Sequence, residues 1–457
     1  MARVAVVTLG CPKNAVDSEA LGGVLAAGGH EVTEAVEASE VVVVNTCGFI
    51  DAARRETVEE VLAVADLKQE GGVSGLVLTG CLVARSAGEL AEALPEVDAL
   101  VDFDAYPRIS EIVDRVAAGQ RPSIQGAPGP RFDPAWWDAA VAASPRLRFG
   151  RTPWAYLKIA EGCDRGCTFC AIPLMRGKLR SRPASVVEAE AQALVELGAS
   201  ELSLVSQDSV MWGRDTGEGT LAQLLGRLER IDGLHRIRLM YLHPQGVTDE
   251  ITDVILGSDV VVDYFDLSLQ HVSPTVLKRM GRWGGRDRFT RTIERIRAAD
   301  PLAGIRATFI MGFPGESDRD AGEVESFVRD AGLDWIGVFG YSREAGTRSH
   351  DMPDQVDEPT IRERVERVST LGDEAMTRRA ASVVGSELEV LVERLELDTG
   401  AWIARSQREA PEVDGEIRLE SGDGLAVGDY LRVRVTGSSG ADLEASPLAA
   451  HLTGTVR

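Results

Sequence analysis

The 457 residues include 49 Lys and Arg against 72 Asp and Glu, which gives a net charge of −23 at pH 7. The hydrophobic fraction of 44% is too high for a disordered chain, and the length exceeds one ordinary core, so we expect two to four domains. The negative charge opposes sequence-independent binding to nucleic-acid phosphates and favours a basic protein partner. Apolar runs such as 41–44 are far shorter than the ~20 residues that span a bilayer. The first residues lead into a strand-like run instead of an export signal, so we expect a cytoplasmic protein without a membrane partner.

Residues 1–117 alternate β-branched strands with amphipathic helical stretches, which predicts a doubly wound parallel sheet. A cysteine follows each of three strand candidates within a few residues. The strands are 4–9, 41–44 and 76–78, and the cysteines are Cys11, Cys47 and Cys81. In open α/β sheets the loops beyond the carboxyl ends of the strands converge on one crevice, so we expect these cysteines to meet there. Taken singly, each could instead be a small buried hydrophobic residue.

Residues 118–150 are rich in proline around the pair Trp136 and Trp137. Proline at this density favours a linker. Two large aromatic rings gain free energy from burial, so we expect part of the linker to dock against a neighbouring domain.

Residues 151–380 repeat strand and helix patterns, which predict a sheet or barrel of parallel strands with right-handed crossovers. Six strands favour a partial (β/α)6 barrel of the TIM type, from which a charged helical stretch at 358–376 leads out. The strand candidates are 155–159, 202–205, 237–242, 264–269, 305–311 and 335–340. In residues 385–457, short strands punctuated by glycines predict a small antiparallel β-barrel.

The loop after the first strand of this partial barrel holds Cys163, Cys167 and Cys170 in the spacing C-x3-C-x2-C. Barrels of this kind keep their active sites at the carboxyl ends of strands, and three thiolates on one loop can bind three irons of a cubane cluster. The fourth iron then stays open for an external ligand, as at a catalytic metal site. The alternative is a zinc site or reduced buried thiols, but zinc usually takes four protein ligands and no histidine lies near this loop in the sequence.

The C-x3-C-x2-C loop resembles that of the radical S-adenosylmethionine (SAM) superfamily. The resemblance implies that a 4Fe-4S cluster on these three cysteines binds SAM and donates the electron that cleaves it to a 5'-deoxyadenosyl radical. It also implies that Phe169 lies near the adenine of the cofactor, although ordinary packing of a loop aromatic would explain this residue equally well.

Polar and glycine-rich segments at other barrel strand ends are further candidates for cofactor or substrate contact. The segments are 206–208, 243–244, 270–271 and 312–316, and the predicted cofactor contacts in them are Ser206, Gln270, Gly312 and Gly315. Turn formation or helix capping is the alternative for each. Arg176, Arg180 and Arg182 are candidates for binding the cofactor carboxylate or a substrate acid, although solvated surface arginines are as common.

The sequences around the amino-terminal cysteines resemble the methylthiotransferase family. The motifs are Leu9-Gly10-Cys11-Pro12-Lys13-Asn14, Asn45-Thr46-Cys47-Gly48-Phe49-Ile50 and Thr79-Gly80-Cys81. The resemblance implies an auxiliary 4Fe-4S cluster on Cys11, Cys47 and Cys81, so that two clusters account for all six cysteines. It also implies three domains, a methylthiotransferase amino-terminal domain (1–117), a radical SAM core (151–380) and a TRAM domain (385–457), with only the linker outside the resemblance.

Within this family one branch modifies adenosine in tRNA, and another modifies an aspartate of protein S12 of the small ribosomal subunit. The motifs beginning at Cys11 and Cys47 are similar to the ribosomal-protein branch, whereas the tRNA branch usually has Gln-Met-Asn after its first cysteine. The segments 173–183 and 410–415 are also similar to the ribosomal-protein branch. The charge of the carboxyl-terminal region also favours a protein substrate. Residues 387–457 hold fourteen Asp or Glu and seven Arg, a net charge of −7, whereas an RNA-binding barrel should be basic. A merely soluble acidic surface would explain this charge as well.

The family implies that one SAM methylates a sulfur at the auxiliary cluster, and that a second is cleaved to remove hydrogen from the β-carbon of the target aspartate, which then takes up the methylthio group. It also implies an electron donor such as flavodoxin or ferredoxin. Two alternatives remain open: a tRNA (N6-isopentenyl- or threonylcarbamoyl-adenosine) methylthiotransferase, and a non-catalytic iron-sulfur redox sensor or scaffold.

Overall fold

The computed structural model describes residues 1–125, 137–140, 145–150, 152–420 and 424–453. Within these ranges no helix combines the length and apolar character needed to cross a membrane. Trp137 is fully buried, as expected for a docked ring, whereas its predicted companion Trp136 lies outside the described residues.

The amino-terminal region forms a six-stranded parallel sheet in the order β2-β1-β3-β4-β5-β6, with helices on both sides. The strands are β1 (Arg3–Thr8), β2 (Glu31–Thr33), β3 (Val41–Thr46), β4 (Gly75–Gly80), β5 (Ala99–Val101) and β6 (Ser123–Gln125). The helices are α1 (Pro12–Ala27), α2 (Asp51–Gln69), α3 (Cys81–Ala93) and α4 (Ile109–Ala117). Every residue of β3 and β4 is buried, as expected for strands covered on both faces, and the prediction of a doubly wound sheet is confirmed. Since β6 lies within the predicted linker of residues 118–150, the sheet extends past residue 117. The domain boundaries stay a prediction.

The central region is built from two three-stranded parallel sheets, β11-β10-β7 and β12-β13-β14, joined by a parallel bridge between Leu242 and Leu267. The prediction of a partial six-stranded barrel is thereby confirmed. Its strands are β7 (Trp154–Lys158), β10 (Glu201–Val205), β11 (Arg236–Leu239), β12 (Tyr264–Gln270), β13 (Gly304–Met311) and β14 (Trp335–Gly340), with a small pair β8 (Ala160–Glu161) and β9 (Arg180–Ser181) beside them. The helices of this region are Ile172–Met175, Ala184–Glu196, Leu221–Leu228, Asp249–Leu256, Pro274–Arg279, Arg286–Ala299, Asp318–Asp330 and Glu358–Val383.

The barrel strands alternate apolar and polar side chains, and this alternation separates the two faces of the sheet. The apolar set, for example Leu157 and Leu204, joins the surrounding helices in the largest hydrophobic cluster. The alternate positions include Lys158, Glu201 and Arg238, all buried. The interior of the partial barrel is therefore lined with charged groups.

The carboxyl-terminal region is a closed five-stranded barrel in the order β15-β16-β17-β19-β18. The strands are β15 (Glu387–Leu395), β16 (Trp402–Ser406), β17 (Ile417–Leu419), β18 (Tyr430–Ser439) and β19 (Asp442–Thr453). Its pairs are antiparallel as predicted, except that β17 and β19 run parallel. Arg405 of this barrel contacts Glu201 at 3.0 Å, and Asp414 contacts Arg306 at 2.7 Å. Since Glu201 begins β10, the small barrel docks at the amino-terminal ends of the central strands, the face associated with stability rather than catalysis.

Candidate functional site

The three amino-terminal cysteines stand at the carboxyl ends of β1, β3 and β4, which are neighbours in the sheet. Gly10, next to Cys11, has φ of +98°, and a Cβ there would lie only 2.9 Å from the Sγ of Cys47. Gly48 is as tightly packed, because its Cβ would lie 2.8 Å from the Cα of Leu82, the residue after Cys81. Glycine is therefore required where these loops touch, and the three cysteine loops meet at one edge of the sheet.

Burial keeps the thiols of Cys47 and Cys81 neutral in the absence of metal. It raises the pKa of Cys47 to about 12, and the neighbouring sulfurs of Cys81 and Cys11 add to the effect. The pKa of the buried Cys81 is also raised by burial, although Arg176 opposes the shift. Metal binding at this edge must therefore displace protons from the thiols.

The second cysteine trio lies on the loop that follows β7 and β8. This loop is anchored on both sides: the amide of Cys163 donates to the carbonyl of Gly177 at 3.2 Å, and the amide of Thr168 donates to the carbonyl of Met280 at 2.9 Å. Nη1 of Arg282 donates to the Sγ of Cys167 at 3.3 Å. Burial raises the pKa of Cys163 to about 11 and that of Cys170 to about 12, so these thiols too are protonated without a metal.

Each trio supplies three thiols, which is the donor set of an iron-sulfur cluster. Within the described ranges, no three His, Cys, Asp or Glu side chains are close enough together to hold a single metal ion. A cubane does not require such an arrangement, because each cysteine binds a different iron. The donor chemistry of both loops therefore fits a cluster, and their role as ligands stays a prediction.

A buried ionic network connects the two cysteine loops, and sequence reasoning did not find it. Its centre is Arg176, whose Nη1 lies 2.7 Å from Asp17 and 3.0 Å from Glu161, while its Nε donates to the Sγ of Cys81 at 3.1 Å. Lys158 pairs with the same two carboxylates. Although burial opposes ionisation, Arg176 and Lys158 lower the pKa of Glu161 to about 2, so its carboxylate stays charged. The sequence singled out Arg176 as a candidate for binding an acid, and a charge at the end of an apolar strand, as at Lys158, was a further signal.

A second contact between the domains joins Lys13 to Tyr241. Lys13 stands in the first turn of α1 and is 8% exposed, and its Nζ lies 3.3 Å from the centre of the Tyr241 ring. Tyr241 follows β11 in the left-handed region, with φ of +60°, and its amide donates to the carboxylate of Asp266 at 2.8 Å. The cation therefore lies between the amino-terminal cysteine loops and the mouth of the partial barrel.

Two of the predicted cofactor contacts lie in or beside the barrel mouth. Gln270 has φ of +69° at a bulge in β12, an unusual conformation for a residue other than glycine. Ser206 is fully buried, with its Oγ 3.1 Å from that of Ser209. Its neighbours Gln207 and Asp208 each carry a buried oxygen, Oε1 and Oδ1, with no hydrogen-bond partner among the described residues. Such oxygens suit a polar ligand, and the contacts stay predictions.

The remaining predicted cofactor contacts lie against protein groups. Phe169 is half-buried with its ring edge-on to Phe313, and the two ring centres are 6.4 Å apart. Gly312 and Gly315 both have positive φ, but a Cβ on Gly312 would overlap Ile361 and one on Gly315 would lie 2.6 Å from the Arg279 guanidinium. Close packing within the protein is therefore sufficient to explain both glycines.

The three candidate arginines are used differently. Arg182 is buried and pairs with Asp138 and Glu190, both at 2.6 Å, so its charge is already neutralised by the protein. These ion pairs favour a structural role for Arg182, and its binding of a free acid stays a prediction. Arg176 is likewise neutralised, and Arg180 is exposed.

Comparison with known proteins agrees with this architecture. Three family models match: "Uncharacterized protein family UPF0004" over residues 3–102, the radical SAM superfamily over 157–328, and the TRAM domain over 384–448. A structure of the radical SAM methyltransferase TsrM from Kitasatospora setae shares the fold, with a TM-score of 0.54 over 76% of this chain and 74% of that one, at 14% identity.

Full-length relatives are more similar. The ribosomal protein uS12 methylthiotransferase RimO of Kineococcus radiotolerans is 41% identical over 97% of both chains. The protein of the same name from Geobacter sulfurreducens is 40% identical over 96% of this chain and 97% of its own length. At this identity and coverage, the chain belongs to the radical SAM methylthiotransferases, in the family of the RimO enzymes.

Proposed function

We propose that this enzyme adds a methylthio group to the β-carbon of an aspartate in ribosomal protein uS12, and that it does so in the cytoplasm with two SAM molecules and two 4Fe-4S clusters. The observation that carries the proposal is the contact of Arg176 with Cys81. Arg176 follows the Cys163 loop closely in the chain, yet its Nε lies 3.1 Å from the Sγ of an amino-terminal cysteine. This contact supports a single interdomain site for the two cysteine trios.

In this proposal one cluster is held by Cys163, Cys167 and Cys170 and the other by Cys11, Cys47 and Cys81. When bound, the clusters and SAM would supply one-electron reduction, a carbon radical and the sulfur to be transferred, with electrons from a donor such as flavodoxin or ferredoxin. The residues of the chain position these groups and exclude water. Trp137, Arg176 and Lys158 are buried where the two domains meet, which keeps solvent from the interdomain site.

The surface of the carboxyl-terminal barrel supports a protein substrate over tRNA. Each of its six described arginines lies within 4.0 Å of a carboxylate, so the described part of the barrel presents no cluster of arginines apart from acidic groups, as an RNA-binding surface would. On its exposed surface, Arg432 and Arg434 share Glu387, and Arg418 pairs with Glu396. Complementary charge steers an acidic surface toward a basic ribosomal protein.

The test is a methylthiolation assay with isolated uS12 and, in parallel, with bulk tRNA. We expect the reconstituted enzyme to carry about eight irons per chain and to add one methylthio group to an aspartate of uS12, detected by mass spectrometry. Modification of tRNA alone would replace the proposed function with the tRNA branch. A loaded enzyme that produces no 5'-deoxyadenosine on anaerobic reduction would instead be a non-catalytic iron-sulfur protein.

Replacement of Arg282 by glutamine is expected to shift the reduction potential of the cluster on the central loop and to leave that of the amino-terminal cluster unchanged. Hydrogen bonds to ligating sulfurs set cluster potentials, and Nη1 of Arg282 lies 3.3 Å from the Sγ of Cys167. In Arg282→Gln we expect the midpoint potential of the cluster on the central loop to fall by on the order of tens of millivolts, because a cationic donor is lost. Redox titration followed by electron paramagnetic resonance measures both clusters. Lys278→Gln, an exposed change on the nearby helix, is the control, and an unchanged potential in Arg282→Gln would contradict the assignment.

A further inference from the structure

Lys13 differs from every other buried cation in the described part of the chain. Ten Lys and Arg residues are buried there, and nine of them form an ion pair with at least one carboxylate. Lys13 has no carboxylate within 4.0 Å among the described residues; its ammonium instead lies over the ring of Tyr241. Asp266 and Cys11 act on Lys13 only at longer range, and burying a charge without a counterion in contact is costly, so this arrangement points to an anion that arrives from outside the chain.

The position of Lys13 restricts what that anion is. It stands two residues after Cys11, in the first turn of α1, where the helix dipole also favours a negative group. Tyr241, on the opposite side, lies in the loop beyond β11 at the mouth of the partial barrel. An anion on Lys13 is therefore held between the sulfur-bearing loops and the barrel mouth.

We infer that Lys13 binds the side-chain carboxylate of the substrate aspartate, and this inference rests on the proposed function. The β-carbon of an aspartate is bonded directly to its carboxylate carbon. Binding of the carboxylate by Lys13 therefore holds the β-carbon within a few bond lengths of the ammonium, beside the Cys11 loop. The same contact selects aspartate over asparagine, because only aspartate supplies the missing negative charge.

The experiment measures binding of two forms of uS12, one with the target aspartate and one with asparagine in its place, to the cluster-loaded enzyme with SAM. We expect the wild-type enzyme to bind the aspartate form about 10- to 100-fold more tightly, the range for a hydrogen bond to a charged group. Lys13→Met should bind the aspartate form only as tightly as it binds the asparagine form. Its affinity for the asparagine form should stay close to that of the wild-type enzyme. Lys278→Met, at an exposed lysine of the central region, should keep the wild-type preference.

Lys13→Arg retains the charge and should retain the preference, which separates charge recognition from a packing defect. If Lys13→Met still prefers the aspartate form, or if the wild-type enzyme binds both forms equally, the inference is overturned. If Lys13→Met changes the reduction potential of the amino-terminal cluster but keeps the preference for the aspartate form, Lys13 compensates the charge of the cluster instead, and the inference is overturned. Failure of the proposed function is a distinct result, since the wild-type enzyme would then modify tRNA and bind neither form of uS12.

Discussion

Cys167→Ala is expected to abolish formation of 5'-deoxyadenosine, whereas Cys47→Ala is expected to preserve it and abolish methylthio transfer to uS12. The two cysteines belong to separate loops, one on the central barrel and one at the edge of the amino-terminal sheet. Loss of one thiolate ligand should therefore disable one cluster and leave the other loaded. Anaerobic reduction with SAM, followed by chromatography of the nucleoside and mass spectrometry of uS12, measures both activities in one sample.

Iron analysis provides the control for this pair. Each variant should retain about four of the eight irons, because three cysteines remain intact in the other loop. Cys47→Ser serves as a nearly isosteric variant, since Cys47 is 8% exposed and is closely packed against Gly10. Full methylthiolation by Cys47→Ala would contradict the auxiliary-cluster role, and continued cleavage of SAM by Cys167→Ala would contradict the assignment of the central loop.

Local sequence pattern was sufficient to predict the strands of the site and the positions of its cysteines. Runs such as 41–44 have the length and apolar character of buried parallel strands, and a cysteine after each strand end places its sulfur at the carboxyl edge of the sheet. The spacing of Cys163, Cys167 and Cys170 on one loop depends on no distant contact, so it too could be interpreted from sequence.

The network around Arg176 could not be predicted in this way, because its partners are set by the docking of two domains. Asn14, which accepts a hydrogen bond from Nη2 of Arg176 at 2.8 Å, is 162 positions away in the chain. The same reason explains why the ion pairs of Arg182 could not be predicted, since its partners Asp138 and Glu190 come from the linker and a helix. The parallel pairing of β17 with β19 likewise depends on closure of the barrel and has no local signature.

Arg176→Met is expected to give the largest loss of stability of any single change at the domain interface. The arginine is buried, and its guanidinium contacts Asp17 and Glu161, at 2.7 and 3.0 Å, as well as Cys81. After its removal the two buried carboxylates keep their ion pairs with Lys158, and Glu161 also keeps the hydrogen bond that the amide of Gln207 donates. Breaking a buried ion pair by removing one partner costs about 3–5 kcal/mol, because the other charge stays desolvated.

Thermal unfolding and limited proteolysis should both report this loss. For a structure of several domains we expect the first unfolding transition to fall by roughly 5–15 °C, with faster cleavage between the amino-terminal and central regions. Arg180→Met is the matched control, since Arg180 lies in the same segment but is exposed, and its change should be within about 0.5 kcal/mol of zero. Equal stability of the two variants would mean that the carboxylates are neutralised by protonation or by Lys158 alone. The buried pairs would then contribute little to docking, and the junction would be held by its apolar contacts, chiefly the hydrophobic cluster that joins α1 to Trp154 and Tyr156 of β7.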